Sequence, residues 1–484
     1  MNRRWLSPLA LVLAVGVTLA FPNATANGIA AVTAWLVERA GPAVLWLGTA
    51  SLLLMLVLAL GPWGRRRLPR DPSEPPLGTA AWLAMLFAAG MGSGLVFWGL
   101  AEPLSHFHQP PSAAYADPSA ALALTYLHWG FHAWAIYAVA GLAFALLGDR
   151  RPGLSLLNAL WSGDRPPADP TPGTRRLAGV IDWVALAAVL FGVAGSLANG
   201  VDLIRVGLSA QTTTTWPGWL LLAALAAVSL VSASTGLRGG IRVLSFVNLA
   251  LAAGVALRVW WVGEGGRLAT LWWDSLVLYL KSLPTWSVQL ISNQGDLNWA
   301  RGWTVVYLLW WVAWTPFVGL FLAGISRGRS LRAFALAVVL MPTLVSMAWF
   351  VCMGGNGLLV EQDAPGSLTG TLSEHYTAPL FAWYDGLPGG VWLAWGSLLL
   401  LFLFLVTSAD SAAWVMGRLS RLKIPVWVFS LALGLVALPL VIRGDVDVNK
   451  QVAIAGAIPF CLVLGAQLVA LLRVLPGGAG RDAD

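Results

Sequence analysis

Long apolar runs, separated by short polar clusters, fill the chain up to about residue 473. A helix that crosses a membrane needs roughly 20 mostly apolar residues. On that measure the pattern predicts twelve spans, at 6–25, 41–62, 79–105, 121–148, 180–205, 217–235, 241–262, 302–325, 331–353, 390–417, 424–442 and 450–473. Two stretches between them read differently. Residues 268–299 are amphipathic and predict a helix lying along a membrane surface. Residues 355–389 are rich in Gly and Pro and predict an ordered cap outside the membrane. No short-period repeat is visible, which leaves room for two halves related by inverted topology but too diverged to align.

Composition sharpens this picture. Of 484 residues, 58% are hydrophobic and 11% charged, against about 25% charged in soluble domains. A soluble globular enzyme and a disordered chain are excluded. Two cysteines, Cys352 and Cys461, make no disulfide scaffold. The net charge of +7 is no nucleic-acid footprint, because the basic residues come in short clusters between spans. With the N-terminus cytoplasmic, those clusters (Arg65, Arg66, Arg67 and Arg70; Arg150 and Arg151; Arg327, Arg329 and Arg332; Arg418 and Arg421) fall on the inside. The loop 354–389 carries Glu361, Asp363, Glu374 and Asp385 and neither Lys nor Arg. Both termini are therefore expected to be cytoplasmic. The start, Arg3-Arg4 and an apolar run before Ala24-Thr25-Ala26, also has the form of a cleavable signal peptide. A retained first span is the expectation, since cleavage would leave eleven spans and spoil the charge alternation.

Two spans carry interruptions. Span 3 contains Ala88-Ala89-Gly90-Met91-Gly92-Ser93-Gly94. Each glycine weakens a helix by about 1 kcal/mol relative to alanine, and Gly90, Gly92 and Gly94 together predict an unwound, ligand-facing segment. A tight helix-packing face is the alternative, although small-residue packing uses a spacing of four rather than two. In span 8, Pro316 removes a helix hydrogen bond in mid-membrane and predicts freed carbonyls. Paired interruptions in corresponding places point to a transporter's midplane site.

Most of the 28 tryptophans lie near span ends, where interfacial belts place them. Trp310, Trp311 and Trp314 instead lie deep in span 8, and Trp129, Trp134 and Tyr137 in span 4. Rings converging on a void make a cage for a cation that cannot donate hydrogen bonds, a quaternary ammonium, each ring contributing about 2 kcal/mol when desolvated. Plain aromatic packing is the alternative. In span 10, Thr407 and Ser408 offer adjacent hydroxyls for a small cation such as sodium, or bonds back to their own helix. Asp410 is a buried ionisable candidate, and Glu102 before Pro103 reads as an end-cap or gate. His128 and His132 at i,i+4 could ligate a metal or haem. No nucleophile–base set and no phosphate loop is present, so no enzyme is expected.

These residues carry a family resemblance. AAGMGSGLVFWGLAEPL (88–104), HWGFHAWAIYAVAGLA (128–143), STGLRGGIRVLSFVN (234–248), WTVVYLLWWVAWTPFVGLFLAGISRGRSLR (303–332) and VTSADSAAWV (406–415) resemble the betaine/choline/carnitine transporters, in family order across spans 3 to 10. The resemblance implies an all-α polytopic membrane protein of the bacterial inner membrane. Its twelve helices would form an inverted five-plus-five repeat (LeuT-like) with two additional N-terminal helices. The parts would be 1–77, the N-terminal pair; 78–267, the first repeat; 268–300, the surface helix; 301–476, the second repeat; and 477–484, a short cytoplasmic tail. It implies a homotrimer, and a substrate cage at Trp129, Trp134, Tyr137, Trp310, Trp311 and Trp314. It further implies a sodium held by positions Ala88, Met91, Phe404, Thr407 and Ser408, as coupling ion and with no other cofactor. Val189 and Val193 stand where sodium-coupled betaine members carry threonines for a further sodium, and offer no side-chain oxygen. A second sodium is therefore not expected, nor is osmotic activation through a tail of only about ten residues. The expected function is sodium-coupled symport of a quaternary-ammonium osmolyte such as glycine betaine. The alternative is a proton-coupled or ion-independent choline/carnitine transporter or exchanger. No residue in the sequence identifies itself as the reader of the substrate's other end.

Overall fold

Helices run where the apolar stretches are unbroken and stop at glycine or proline. The computed structural model describes residues 16–17, 20–70, 77–90, 92–147, 156–157, 160, 171–212, 214–235, 242–372, 375–420 and 424–477, and no named strand occurs among them. The first helix, α1 (Pro22–Leu60), is 39 residues long. It corrects the expected break between spans 1 and 2: residues 26–40 are alanine-rich, and Pro42 is absorbed without ending the helix. Residues 1–15, which hold most of span 1 and of the signal-like start, lie outside the described residues.

Span 3 is two helices, α2 (Thr79–Gly90) and α3 (Ser93–His108), with extended backbone at Gly92. Span 4 is also two, α4 (Pro118–Trp129) and α5 (Phe131–Leu147), parted at Gly130. α4 starts on Asp117, whose carboxylate accepts from the Ser119 and Ala120 amides, with Pro118 preset for the first turn. Then come α6 (Pro172–Thr212), α7 (Gly218–Thr235), α8 (Arg242–Val262) and α9 (Gly265–Trp286). The chain turns by 112° between α8 and the amphipathic α9. α10 (Val306–Ile325) follows a wide π-type turn at Arg301–Val305. α10 corrects the expected interruption at Pro316, because the helix continues through that proline. α11 (Leu331–Phe350) leads through a second wide turn, Val351–Gly355, into α12 (Asn356–Asp363). α13 (Thr369–Leu372) and α14 (Ala378–Asp385) complete the cap. α15 (Gly390–Leu419), α16 (Val426–Arg443), α17 (Val446–Ala455) and α18 (Ala457–Gly477) end the fold.

Among the described residues eight helical segments are long and apolar enough to cross a membrane, or nine if the bent α8–α9 pair is one span. The shortfall from twelve has local causes. Span 1 is largely outside the described residues, the break at Gly92 splits span 3, and the apolar part of α7 covers only Gly218–Ser232.

α5, α6 and α10 form the centre. α5 packs on α10 and α1, and α6 packs on α15, α16 and α17. One end of the bundle collects arginines. The Arg332 guanidinium donates to the Ala59 and Gly61 carbonyls, closing the C-terminus of α1, where cations are favoured. Arg329 lies 4.6 Å over the Trp82 ring, and Arg66 donates to the Val474 carbonyl. At the other end the Glu361 carboxylate gathers the cap, accepting from the amides of Gly366 (2.6 Å), Leu368 (2.9 Å) and Thr369 (3.0 Å) and from the Thr369 hydroxyl (2.6 Å). Asp202 of α6 pairs with Arg205 (2.7 Å) and with His375 of the cap.

Candidate functional site

The site begins with the break at Gly130. A helix end leaves carbonyls without intrahelical partners. Here two of them are taken by tryptophans: the Trp311 indole donates to the His128 carbonyl (2.8 Å) and the Trp134 indole to the Trp129 carbonyl (3.2 Å). The break requires glycine. A Cβ at position 130 would stand 2.4 Å from the Tyr126 carbonyl oxygen and 2.7 Å from the Tyr279 hydroxyl. Tyr279 belongs to α9, and its hydroxyl accepts from the Phe131 amide at 3.3 Å, so the surface helix fastens the start of α5. Gly130→Ala should therefore remove substrate binding and lower the thermal midpoint by several degrees, read in a thermal-shift assay. An unchanged midpoint and affinity would contradict this.

The rings fixed by this break line a cavity of about 70 Å³. Trp129, Tyr137, Trp310, Trp311 and Trp314 line it, with Trp98, Tyr307 and Phe97 beside them. Trp129 and Trp311 stand edge to face with centroids 5.4 Å apart and planes at 89°, and Tyr137 lies 5.1 Å from Trp311. Trp134 packs behind this wall, 5.7 Å from both Trp311 and Tyr137 and fully buried. The Trp310 indole donates to the Ser196 hydroxyl of α6 (3.1 Å). Trp314 has no hydrogen-bond partner for its N–H among the described residues. The interrupted span 3 supplies the facing wall with Gly92, Ser93 and Gly94. A Cβ on Gly94 would meet the Trp129 ring at 2.8 Å, so the glycine lets backbone and ring approach closely. No Asp, Glu, Lys, Arg or His is among the lining residues.

One acidic side chain stands directly behind the wall. The Glu102 carboxylate accepts from the Trp129 indole (2.8 Å) and from the Tyr307 hydroxyl, and bonds His128 Nδ1 (2.7 Å) and His106 Nε2 (3.3 Å). His128 Nε2 continues to the Thr304 hydroxyl (3.1 Å), and its ring stacks on Tyr307 with centroids 4.8 Å apart. Glu102, His106 and His128 are all buried, and their ligand atoms lie within 4.8 Å of one another. The sequence pairing of His128 with His132 is corrected: Gly130 parts them, His128 joins Glu102, and His132 faces Thr49 at 3.5 Å. Tyr307 and His106 have no part in the sequence reading. Their only signal is helical position, Tyr307 one turn before Trp310 and Trp311, and His106 one turn after Glu102. Lys450 of α17 was equally unforeseen. Its ammonium bonds Asp447 (3.0 Å) and sits 4.6 to 5.1 Å from the rings of Tyr376, Trp98 and Trp303. Trp98 is thus shared between this cation–π cluster and the cavity.

The expected sodium positions are brought together in part. The Gly92 Cβ position lies 3.6 Å from the Ser408 hydroxyl and 3.4 Å from the Trp314 ring, so span 10 meets the break in span 3. α15 is continuous there, and the Thr407 hydroxyl donates back to the Leu403 and Phe404 carbonyls, both at 3.0 Å. Met91 lies outside the described residues, and of Ala88 and Gly90 only the helical backbone is described. Asp410 is buried and faces Ser229 and Ser232 of α7. Val189 and Val193 are buried on α6.

Comparison with known proteins identifies the family. The family model described as betaine/carnitine/choline family transporter matches residues 4–478. A glycine betaine/proline/choline transporter of Vibrio parahaemolyticus is 32% identical over 504 residues, covering 97% of this chain and 89% of the relative. The glycine betaine transporter OpuD of Bacillus subtilis is 32% identical, covering 87% and 83%. An ectoine/hydroxyectoine transporter of Virgibacillus pantothenticus is 30% identical, covering 88% and 86%. A nearly all-helical, multi-pass chain with an aromatic cavity behind an interrupted span therefore belongs to the betaine/carnitine/choline family of transporters.

Proposed function

We propose that this transporter carries a quaternary-ammonium osmolyte, glycine betaine first, by sodium-coupled symport. The observation that carries the reading is the cavity wall: converging indole and phenol rings with no ionisable side chain other than tyrosine among them. A methylated ammonium has no N–H to satisfy and binds through ring faces. An ordinary amine would leave its donors short of partners in such a box. The relatives that transport glycine betaine and choline support the same cargo. Ectoine, carried by a third relative, is the closest competitor.

In this reading twelve helices cross the bilayer, 78–267 and 301–476 are the two inverted halves, and copies assemble as a homotrimer. The arginine-rich end is cytoplasmic, as charge bias requires, and both termini lie on that side. Sodium binds where Ser408 and Thr407 meet the span-3 break, with the Ala88, Met91 and Phe404 carbonyls as its other ligands. The Thr407 hydroxyl gives its proton to its own helix, which leaves its oxygen lone pairs for the ion. Sodium stabilises the outward-open form, substrate fills the cage, and the loaded halves rock inward. One sodium with a neutral zwitterion moves one charge per cycle. A 100 mV potential then supplies about 2.3 kcal/mol, roughly 50-fold in accumulation.

The test is radiolabelled uptake into proteoliposomes of betaine, choline and carnitine, with and without an inward sodium gradient. Betaine accumulation that requires sodium is expected, and equal counterflow in sodium-free vesicles would replace symport by exchange. Thr407→Ala combined with Ser408→Ala should abolish sodium stimulation, and sodium dependence that survives in the double variant removes these residues from the ion site.

A further inference from the structure

We propose that Asn199 is the residue that reads the far end of the substrate, and that its amide selects osmolytes bearing a carboxylate over those ending in a hydroxyl. The inference rests on the reading of the cavity as a quaternary-ammonium cage. Asn199 lies on α6, one turn beyond Ser196, and both line the cavity. It is 4% exposed. Its Oδ1 accepts from the Nδ2 of Asn449 on α17 at 2.9 Å. In this pairing Asn199 Nδ2 and Asn449 Oδ1 are the two atoms without a partner among the described residues, and of the two residues only Asn199 lines the cavity.

A buried N–H2 group without a partner costs free energy, so one on a ligand cavity's wall marks a place where the ligand supplies the acceptor. A carboxylate is the strongest acceptor a small osmolyte offers, because the charge assists the bond. The polarity of the wall agrees. The first turn of the 16-residue α3, with Gly92 as its cap residue and no side chain capping it, forms part of the same cavity and presents the positive end of a helix. The rings of Trp129, Trp311 and Trp314 take the cation, while Asn199 and the α3 terminus favour negative charge. A zwitterion is complementary to both poles, whereas choline satisfies only one.

The same argument gives Asn449 a positioning role. It is not among the lining residues, and by taking the Asn199 oxygen it leaves the amide nitrogen to a ligand.

The test measures the dissociation constants of betaine and choline on the purified full-length protein by equilibrium dialysis. Two variants are used. Asn199→Ala removes the donor. Asn199→Asp keeps the oxygen that Asn449 needs and replaces only the free Nδ2. In each, betaine should weaken relative to choline by about tenfold or more, the scale of a hydrogen bond to a charged group. Asn449→Ala should move the ratio in the same direction by less. A betaine-to-choline ratio that stays at the wild-type value in either variant, with the variant monodisperse in gel filtration, overturns the assignment. A wild-type protein that binds neither solute overturns the cage reading itself, and this inference with it. Failure of the parent reading therefore shows in the wild type, and failure of the Asn199 assignment only in the variants.

Discussion

Trp314→Leu is expected to abolish concentrative betaine uptake while leaving the protein folded. Each ring of a desolvated cage contributes about 2 kcal/mol, or roughly 30-fold in affinity. Trp314 is the cleanest ring to remove. Its N–H bonds no other described residue, so its loss orphans no carbonyl. Trp311→Leu would in addition strip the His128 carbonyl of its partner and mix binding with stability. Trp314→Phe should recover part of the affinity, because a smaller π face remains. Proteoliposome uptake and equilibrium binding check both. An unaltered dissociation constant in Trp314→Leu would remove this ring from the cage.

The second large effect is expected at Glu102. Glu102→Gln keeps the shape but puts an N–H2 group where one oxygen now accepts. One side of the carboxylate faces the Trp129 indole and the Tyr307 hydroxyl, and the other faces two histidines. With its oxygen toward Trp129 and Tyr307, glutamine turns its N–H2 to the two histidines, which must then both take the accepting tautomer, and the reverse rotamer leaves the Trp129 indole without an acceptor. Removing one partner from a buried charged network costs about 3 to 5 kcal/mol, and here the strain falls on a cage ring. Betaine affinity should fall by more than 30-fold, and the thermal midpoint should fall with it. Trp129→Phe, which removes a single donor and keeps a ring, should cost less on both counts. If Glu102→Gln binds betaine as the wild type does, the network has no part in holding the cage.

How much of this was legible in the sequence follows from the range of each interaction. Apolar runs reflect a local requirement, so the long helices lie where the pattern put them. The interruption of span 3 was legible in its glycines, but it is narrower than they suggest: Gly92 is extended, whereas Gly90 ends α2 and Gly94 lies in the first turn of α3. Pro316 differs for the converse reason: a proline removes one hydrogen bond, but α10, packed on α5 and α6, continues as a helix through it. Gly130 is a single glycine between aromatic residues, and its necessity comes both from the Tyr126 carbonyl, four residues back, and from Tyr279, 149 positions away. The aromatic residues of the cavity were visible as helical spacings. What the spacing could not separate is Trp134 from its neighbours, since it supports the wall from behind. Asn199 and Asn449 were invisible, because their bond joins α6 to α17 and neither position has a motif.

The tethered indoles have an entropic consequence. Trp129, Trp134, Trp310 and Trp311 each spend their N–H on a fixed protein oxygen. Their rotamers are frozen before any solute arrives, and a ligand need not order them. Immobilising a side chain on binding costs about 0.5 to 1.5 kcal/mol, and for these four rings folding has already met that cost. Trp314, whose N–H has no partner among the described residues, carries an ordering penalty that these four do not.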